Sequence, residues 1–294
     1  MKRRKARLTR WGSPVLLGIC LDHHSSFLRG SAEAPPLVRE ALRSDSWNSW
    51  SETNVDLGAA GAFEDAGDLP HMESGDAFDR IERAIAKVLE AKNRPFSLGG
   101  DHSITYPILR AVGKRVPGLT LVHFDAHPDL YENYEGNRYS HASPFARILE
   151  DHLVSRLVQI GIRTLNEQQR KQAKKYGVEI YEMSRLPEPA KLKLVGPLYV
   201  SFDLDVLEPG LAPGVSHWEP GGLSTREAIR YIQALPAPIV GADVVEFNPS
   251  RDRSGMTAMV VAKIVKELLG KMIAKGSVVE PIRRSQRQGI RLLK

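Results

Sequence analysis

The chain has 294 residues, 42% of them hydrophobic and 26% charged, so it can bury a sizeable core and fits one large domain better than two. Its single cysteine, Cys20, excludes an internal disulfide and a thiolate zinc site, and it favours a reducing compartment, which we take to be the cytoplasm. The formal charge of +6 is concentrated at the two chain ends, a distribution that argues against a nucleic-acid partner, because such proteins cluster basic residues on a folded face.

The charge pattern also suggests the domain limits. Residues 1–10 contain six basic and no acidic side chains, and residues 276–294 contain five basic and one acidic, which leaves the middle of the chain at −4. We predict a basic N-terminal tail (1–12), one folded domain (13–275) and a basic C-terminal tail (276–294). The sequence has no apolar run of about 18 residues and no apolar segment with a signal-peptide cleavage site, so we expect no membrane partner.

Strand-like and helix-like segments alternate along the predicted domain. Short apolar runs predict buried strands at Pro14–Ile19, Pro95–Leu98, Leu119–Phe124, Arg156–Ile162, Pro197–Phe202 and Pro238–Val245. Helical periodicity predicts helices at Phe78–Ala91, Ile104–Val112, Glu167–Tyr176, Ser224–Leu235 and Met256–Ala274. The polar stretch Asp45–Ala66 reads as a long surface excursion. This alternation predicts an α/β fold, a single three-layer α/β/α domain with a mostly parallel sheet.

A first polar cluster follows the predicted strand Pro95–Leu98. The sequence there is GGDHS at 99–103, in which the paired glycines permit a tight turn that presents His102 at a strand end. Ligands bind at the carboxyl ends of parallel strands, so this position suits a metal ligand. Taken alone, a histidine in a turn is more often a hydrogen-bonded structural residue than a ligand.

A second cluster, DAHPD at 125–129, follows the predicted strand Leu119–Phe124. Asp125, His127 and Asp129 are spaced at i, i+2 and i+4, so in an extended segment they point to the same side. Two ionised carboxylates beside a buried strand repel each other and lose hydration, and a bound cation would relieve both costs. The alternative is a solvated loop with Asp129 as a helix cap.

A third cluster repeats this arrangement, with Asp203 and Asp205 directly after an apolar run; here the alternative is a capping aspartate and a turn. The three clusters together supply four carboxylates and two imidazoles, more than one ion needs. Two divalent ions about 3.5 to 4 Å apart, bridged by carboxylates, would use the whole set. Oxygen-rich ligands with some imidazole favour manganese, whereas zinc prefers more His or Cys.

At this point the sequence resembles the ureohydrolase family, the arginases and agmatinases. The resemblance rests on GGDHS at 99–103, DAHPD at 125–129, SFDLDVLEP at 201–209 with APG at 212–214, and DVVEFNP at 243–249. It extends through YEGNRYSHAS at 134–143 and PGVSH at 213–217, where the chain looks most like plant-type arginases and agmatinase-like bacterial relatives. The resemblance implies an arginase-like fold, hydrolysis of a guanidino substrate to urea and an amine, and a homo-oligomer, trimer or hexamer.

The resemblance also implies roles for individual residues. One Mn²⁺ would be held by His102, Asp125, Asp129 and Asp203, and the other by Asp125, His127, Asp203 and Asp205. His141 would carry protons and Glu246 would hold the guanidinium. The alternative interpretation is that His141 is a loop histidine and Glu246 a surface glutamate, neither with a function in catalysis. Asp101 and His123 are expected to support the metal-bound groups by hydrogen bonds.

The substrate is left open between agmatine and L-arginine, with guanidinobutyrate or guanidine as further possibilities. A free ammonium would suit Glu132 or Glu135, whereas a carboxylate would suit Asn133, Asn137 or Arg138, and His217 is a further substrate-binding candidate. Other readings are a binuclear phosphoesterase, a single-zinc deacetylase and a non-catalytic binding protein. No Arg or Asn cradle for phosphate is visible, and the complete ligand set disfavours the last two readings.

Overall fold

The computed structural model describes residues 11–69, 75–236 and 238–274. In these ranges one sheet of eight strands runs in the order β2-β1-β3-β8-β7-β4-β5-β6, and all of its pairings are parallel. The strands are β1 (Pro14–Ile19), β2 (Glu64–Leu69), β3 (Arg94–Leu98), β4 (Thr120–Phe124), β5 (Arg156–Ile162), β6 (Glu179–Glu182), β7 (Leu198–Asp203) and β8 (Ile239–Val245).

Helices cover both faces of the sheet. They are α1 (Ala34–Leu42), α2 (Ala77–Glu90), α3 (Thr105–Gly113), α4 (Pro144–Glu150), α5 (Glu167–Tyr176), α6 (Thr225–Ala234) and α7 (Met256–Ile273). One hydrophobic core joins the sheet to α1, α6 and α7, and a second core on the opposite face joins it to α2, α3, α4 and α5. The predicted three-layer α/β/α architecture with a parallel sheet is therefore confirmed.

All six predicted strands are present, each within one residue of its expected bounds, and so are the five predicted helices. The polar edge strands β2 and β6 were not predicted, and neither were α1 and α4. The polar stretch expected to be a surface excursion therefore ends inside β2, which begins at Glu64.

The two predicted tails fall mainly outside the described residues, which begin at Trp11 and end at Ala274. Gly12, assigned to the N-terminal tail, donates its N–H to the carbonyl of Lys92 (2.7 Å) and accepts from Arg94 Nε (2.9 Å), so it belongs with the start of β3. None of the described helices combines the length and apolar character that crossing a membrane requires.

Candidate functional site

The candidate site lies where the four central strands β3, β8, β7 and β4 end. Their register aligns Leu98 with Val244, Val244 with Phe202, and Phe202 with Phe124. The residues that follow these positions therefore leave the sheet at one level, on the edge where parallel sheets bind ligands. His102 follows β3, Glu246 follows β8, Asp203 and Asp205 come at the end of β7, and Asp125, His127 and Asp129 follow β4.

Gly100 makes room for this arrangement. A Cβ at this position would lie 1.8 Å from the carbonyl oxygen of Leu21, so the chain after β1 and the turn after β3 pass too closely for any side chain. Gly100 is not among the positive-φ glycines, so its role is close backbone approach and not the unusual turn conformation expected from the sequence.

Three carboxylates surround one ring nitrogen of His102. The Nδ1 atom lies 3.2 Å from Asp125 Oδ2, 3.1 Å from Asp129 Oδ2 and 3.0 Å from Asp203 Oδ2. It is fully buried, yet it makes no hydrogen bond of acceptable geometry to any described residue. Ligand atoms held at right angles about 2.1 Å from one ion lie about 3.0 Å apart, so these spacings suit a shared octahedral cation.

The proton of His102 can be placed on its other nitrogen, Nε2. Ser201 Oγ donates to Asp243 Oδ1 (2.7 Å), so at its 2.9 Å contact with His102 Nε2 the serine oxygen must accept. Tyr199 and Thr105 donate to the other oxygen of Asp243 at 2.7 and 3.2 Å. With Nε2 protonated, Nδ1 presents a lone pair to the three carboxylates, which is the form in which histidine binds metals.

Asp125 reaches toward a second group of ligands. Its Oδ2 faces His102, while its Oδ1 lies 3.3 Å from His127 Nδ1, which in turn lies 2.9 Å from Asp205 Oδ2. Asp125, His127 and Asp205 converge closely enough to hold an ion. Asp125 therefore occupies the position that a bridging carboxylate needs. Asp203 was also expected to bridge, and its Oδ2 faces His102 while its Oδ1 accepts the N–H of Asp205 at 2.8 Å.

His123 lies beside this centre but has both ring nitrogens occupied. Gln159 Nε2 donates to the carbonyl of Pro128 (2.6 Å), which fixes the amide orientation, and the same NH₂ group lies 3.0 Å from His123 Nδ1. His123 Nε2 therefore carries the proton and donates it to Asp125 Oδ2 at 2.7 Å. By distance His123 groups with His102 and Asp125, but these hydrogen bonds make it a support for Asp125.

Asp101 supports a loop, not a ligand side chain. It is fully buried and caps the turn of His102–Ile104 by accepting from Ser103 N. Its other oxygen accepts the N–H of His24 at 2.9 Å. Burial and the charge of Glu246 raise the pKa of Asp101 to about 6.

The electrostatics of the cluster call for cations. Burial, together with Asp205 and Asp125, raises the pKa of Asp203 well above its ordinary value. Burial alone would lower the pKa of His102, but the surrounding carboxylates raise it well above the ordinary value. Both directions show that positive charge is favoured among these four buried or nearly buried carboxylates, and two divalent ions would balance them. The residues present thus fit a two-ion centre.

Glu246 and His141 form a second feature of the site. Glu246 Oε1 accepts the backbone N–H of His102 (2.8 Å) and lies 2.8 Å from His141 Nδ1. Burial would raise the pKa of Glu246, but His141 lowers it. Glu246 and Asp129 have positive φ angles of 64° and 48°, a conformation that costs energy in non-glycine residues and is concentrated at functional sites. A buried carboxylate next to an imidazole is suited to a cationic substrate group.

These groups line one cavity of about 160 Å³. Its wall includes His127, Asp129, Asp203, Asp205, Glu246, His141 and His217, and is completed by Ser26, Tyr131, Tyr134, Ala142, Thr164 and Gln169. Of the substrate-binding residues expected from the sequence, Glu246 and His217 therefore line the cavity. The six completing residues were not expected, and no pattern in the sequence connects them.

The structure places Asn133, Asn137 and Arg138 outside the cavity lining. Asn133 is exposed, Arg138 pairs with Glu150 at 2.5 Å, and the Asn137 amide lies 3.2 Å from His24 Nδ1. These three residues lie in the loop 130–139, which contains a turn at Glu135 and Gly136, both with positive φ angles.

The family model that matches the chain decides its identity. That model, described as the Arginase family, covers residues 13–270. The chain belongs to the arginase family. The confirmed resemblance makes it a hydrolase acting on a small guanidino substrate, in a family of binuclear metal enzymes.

Individual relatives agree with this assignment. The chain is 48% identical to arginase 1 of Arabidopsis thaliana, over 88% of this chain and 81% of the relative. It is 34% identical to an agmatinase of Bacillus cereus, over 87% of this chain and 90% of the relative. The solved structure of an arginase from Medicago truncatula superposes with a TM-score of 0.84 at 46% identity, covering 89% of this chain and 87% of that one.

The expectation of a cytoplasmic location is wrong by this comparison. The Arabidopsis arginase is named mitochondrial, and other plant relatives are named mitochondrial or chloroplastic/mitochondrial. A single cysteine argues only against a compartment in which disulfides form, so cysteine content could not support the cytoplasm over any other compartment that keeps thiols reduced.

Proposed function

We propose that this arginase-family protein is a binuclear manganese enzyme that hydrolyses L-arginine to urea and L-ornithine. The observation that carries the proposal is the single small cavity that joins the carboxylate–imidazole cluster to the Glu246–His141 pair. The cluster can hold cations, and the pair can hold a guanidinium and deliver a proton to the nitrogen that leaves. The two functions meet on the same wall, as hydrolysis of a guanidinium requires.

The metal ligands follow from the distances around the two histidines. His102, Asp129 and Asp203 would hold one ion and His127 and Asp205 the other, with Asp125 shared between them. Four carboxylates and two imidazoles favour Mn²⁺ over Zn²⁺. Two such ions, when bound, would lower the pKa of a water toward neutrality and so supply the nucleophile for the guanidino carbon.

Glu246 and His141 supply the remaining chemistry. The Glu246 carboxylate pairs with the guanidinium and holds its carbon toward the metal ligands. The same ion pair that binds the substrate therefore also orients it for attack. After attack on the carbon, the bond to the substituted nitrogen breaks, and that nitrogen must gain a proton because an amide anion cannot leave. His141 is 8% exposed and lies next to Glu246, so it is the group placed to donate that proton.

The remaining cavity wall favours arginine over agmatine. Tyr131, Tyr134, Thr164 and Gln169 are polar side chains that include neither a carboxylate nor a basic group. The amino-acid end of arginine has no net charge and can be held by neutral polar groups, whereas the free ammonium of agmatine would call for a carboxylate. Glu132 and Glu135, the candidates for that contact, are exposed and do not line the cavity. The higher identity to arginases than to agmatinases supports the same choice.

We expect L-arginine to be hydrolysed with a kcat/KM at least about tenfold above that for agmatine, a difference of about 1.4 kcal/mol in transition-state binding. Urea release measured with L-arginine, agmatine, guanidinobutyrate and guanidine, each with added Mn²⁺, tests this directly. Preference for agmatine would contradict the substrate assignment while leaving the hydrolase class intact.

The hydrogen bond between His102 and Ser201 leads to a second prediction. Ser201→Ala should weaken Mn²⁺ binding about 10- to 100-fold, because His102 Nε2–H loses its acceptor and the ring its fixed orientation. Ser97→Ala is a matched control, since this buried serine lies in β3 and its hydroxyl makes no hydrogen bond within the described residues. Activity titrated with Mn²⁺ measures the change. Equal affinity in the Ser201 variant and the control would show that the contact does not position the ligand.

Homo-oligomerisation into a trimer or hexamer stays a prediction from the family resemblance. Large exposed apolar side chains, among them Leu211, Trp218 and Met256, offer surface for such contacts. Light scattering coupled to size-exclusion chromatography would give the assembly mass, and a monomer at micromolar concentration would contradict the prediction.

A further inference from the structure

The other nitrogen of His141 contacts a residue that neither the motifs nor the metal cluster includes. Ser26 Oγ lies 2.8 Å from His141 Nε2, and the backbone N–H of Ser26 donates to the same atom at 3.2 Å. Ser26 is exposed, but it lines the cavity that holds the metal-ligand cluster and Glu246. His141 is therefore held between Glu246 on its Nδ1 side and Ser26 on its Nε2 side.

The loop that carries Ser26, residues 22–30, is fixed by side chains from several elements. Asp22 Oδ2 accepts from Gly30 N (2.7 Å) and closes the loop on itself, and Asp101 Oδ2 accepts from His24 N (2.9 Å). Ser216 Oγ donates to the carbonyl of Leu28 (2.9 Å), and His141 N donates to the carbonyl of His24 (3.1 Å). These contacts anchor the loop on both sides of Ser26, so its place beside the imidazole is set before substrate binds.

We propose that Ser26 is a positioning residue for His141, whose hydroxyl keeps the imidazole in place in both of its protonation states. This inference rests on the proposed function, in which His141 gains and loses a proton in each turnover. When the ring is neutral, the hydroxyl donates to Nε2. When the ring is protonated, Nε2–H donates to the same oxygen, because a hydroxyl can rotate between the two roles.

The backbone contact alone cannot serve both states. An amide N–H only donates, so it favours an unprotonated Nε2 and opposes the imidazolium. Without the hydroxyl, the protonated ring would face a donor and would tend to move. The charged groups facing His141 from other elements are Glu246, Asp101 and Asp129, which favour the imidazolium, and His24 and His217, whose pKa values are lowered by burial and by His141.

The test compares Ser26→Ala with Ser26→Thr, which restores the hydroxyl, and with Ser25→Ala. Ser25 lies on the same loop but directs its hydroxyl at Asp101 Oδ2 (3.4 Å). In Mn²⁺-loaded enzyme we expect Ser26→Ala to lower kcat about tenfold with KM changed less than about twofold. The alkaline limb of kcat/KM should move to lower pH, because the imidazolium loses its acceptor. Ser26→Thr should recover both properties, and Ser25→Ala should retain them.

A second measurement does not depend on turnover. NMR of histidine-labelled protein loaded with diamagnetic Mg²⁺ gives the titration midpoint of His141, assigned with His141→Asn, and Ser26→Ala should lower it by about one pH unit. An unchanged midpoint, or equal loss in the Ala and Thr variants, would overturn the proposal. Equal loss in Ser25→Ala would make the effect one of loop structure and would also overturn it. Absence of urea from every guanidino compound with the unmodified enzyme would instead defeat the proposed function, and the NMR midpoints would still decide the role of Ser26.

Discussion

Replacing Asp125 with Asn should remove both metal ions and lower turnover by at least about 1,000-fold, because the metal contribution to such reactions is several kcal/mol. Asp125 is fully buried, and its two oxygens face different histidines, His102 at 3.2 Å and His127 at 3.3 Å. The change keeps the shape of the side chain but removes the charge that both candidate sites share. The histidines hold the pKa of Asp125 well below its ordinary value against the effect of burial, so the group is ionised at neutral pH.

Asp205→Asn is the matched control for this experiment. Asp205 Oδ2 lies 2.9 Å from His127 Nδ1 and its Oδ1 accepts the N–H of Ala126, so its contacts belong to one side of the centre. Metal analysis after dialysis should find close to one ion per chain in this variant and close to none in Asp125→Asn. Thermal unfolding would confirm that both variants are folded. Equal metal content in the two would contradict the bridging role of Asp125.

The sequence predicted the inner strands because their burial leaves a clear pattern. β1, β7 and β8 are buried along their whole length and read as apolar runs. β2 has the sequence EDAGDL and β6 the sequence EIYE, and both lie at the edges of the sheet, where β2 is half exposed and β6 is half-buried along its length. An edge strand that is stabilised by backbone pairing to one neighbour needs little apolar character, so composition could not reveal these two.

The two helices that were not predicted lacked the usual sequence features. α1 begins with Ala34, Pro35 and Pro36, and proline is tolerated in a first helical turn although it reads as a loop. α4 has only seven residues, too few for a helical period to stand out. Their positions are fixed by packing against the sheet, which a single sequence does not display.

The metal-ligand cluster was visible in the sequence because its residues follow apolar strands in short motifs. Ser26 was not, since it lies 115 residues from His141 and only the loop after β1 brings them together. Ser201 and Asp243 left a signal that was not used. Each is a polar residue inside a buried strand, and a buried polar group needs a partner, here each other and His102.

The part of the cavity wall beyond the metal-ligand cluster and the Glu246–His141 pair was the hardest feature to predict from the sequence. Tyr131, Tyr134, Thr164 and Gln169 come from different segments and share no motif. Asn133, Asn137 and Arg138 were expected because side chains of these types, in or near the loop after the second cluster, could meet a substrate carboxylate, but none of them lines the cavity. Which residues line this part of the cavity therefore depends on loop geometry, which a single sequence does not display.

Replacing His141 with Asn should leave the metal content near normal and lower turnover on the order of 100-fold or more, the usual contribution of a positioned general acid. His141 contacts Glu246 through Nδ1 and Ser26 through Nε2, and its ring nitrogens are engaged by these groups and not by the carboxylates of the cluster. Asparagine can retain one of the hydrogen bonds but cannot carry the proton. Metal lost in step with activity would make His141 a ligand or a structural residue.

The dependence of kcat and kcat/KM on pH gives the most specific test of the role of His141. Burial would lower the pKa of His141, but Glu246 raises it to about 9, so the free enzyme keeps the ring protonated at neutral pH and loses that form as pH rises. The alkaline limb of kcat/KM should lie at or below pH 9. Cations bound at Asp129 offset its negative charge and therefore lower the pKa of His141. A bound guanidinium partly neutralises Glu246, so the limb of kcat, which reports the enzyme–substrate complex, should lie lower still. Both limbs should vanish in His141→Asn, and a limb that persists there would assign the titration, and the proton delivered to the leaving amine, to another group.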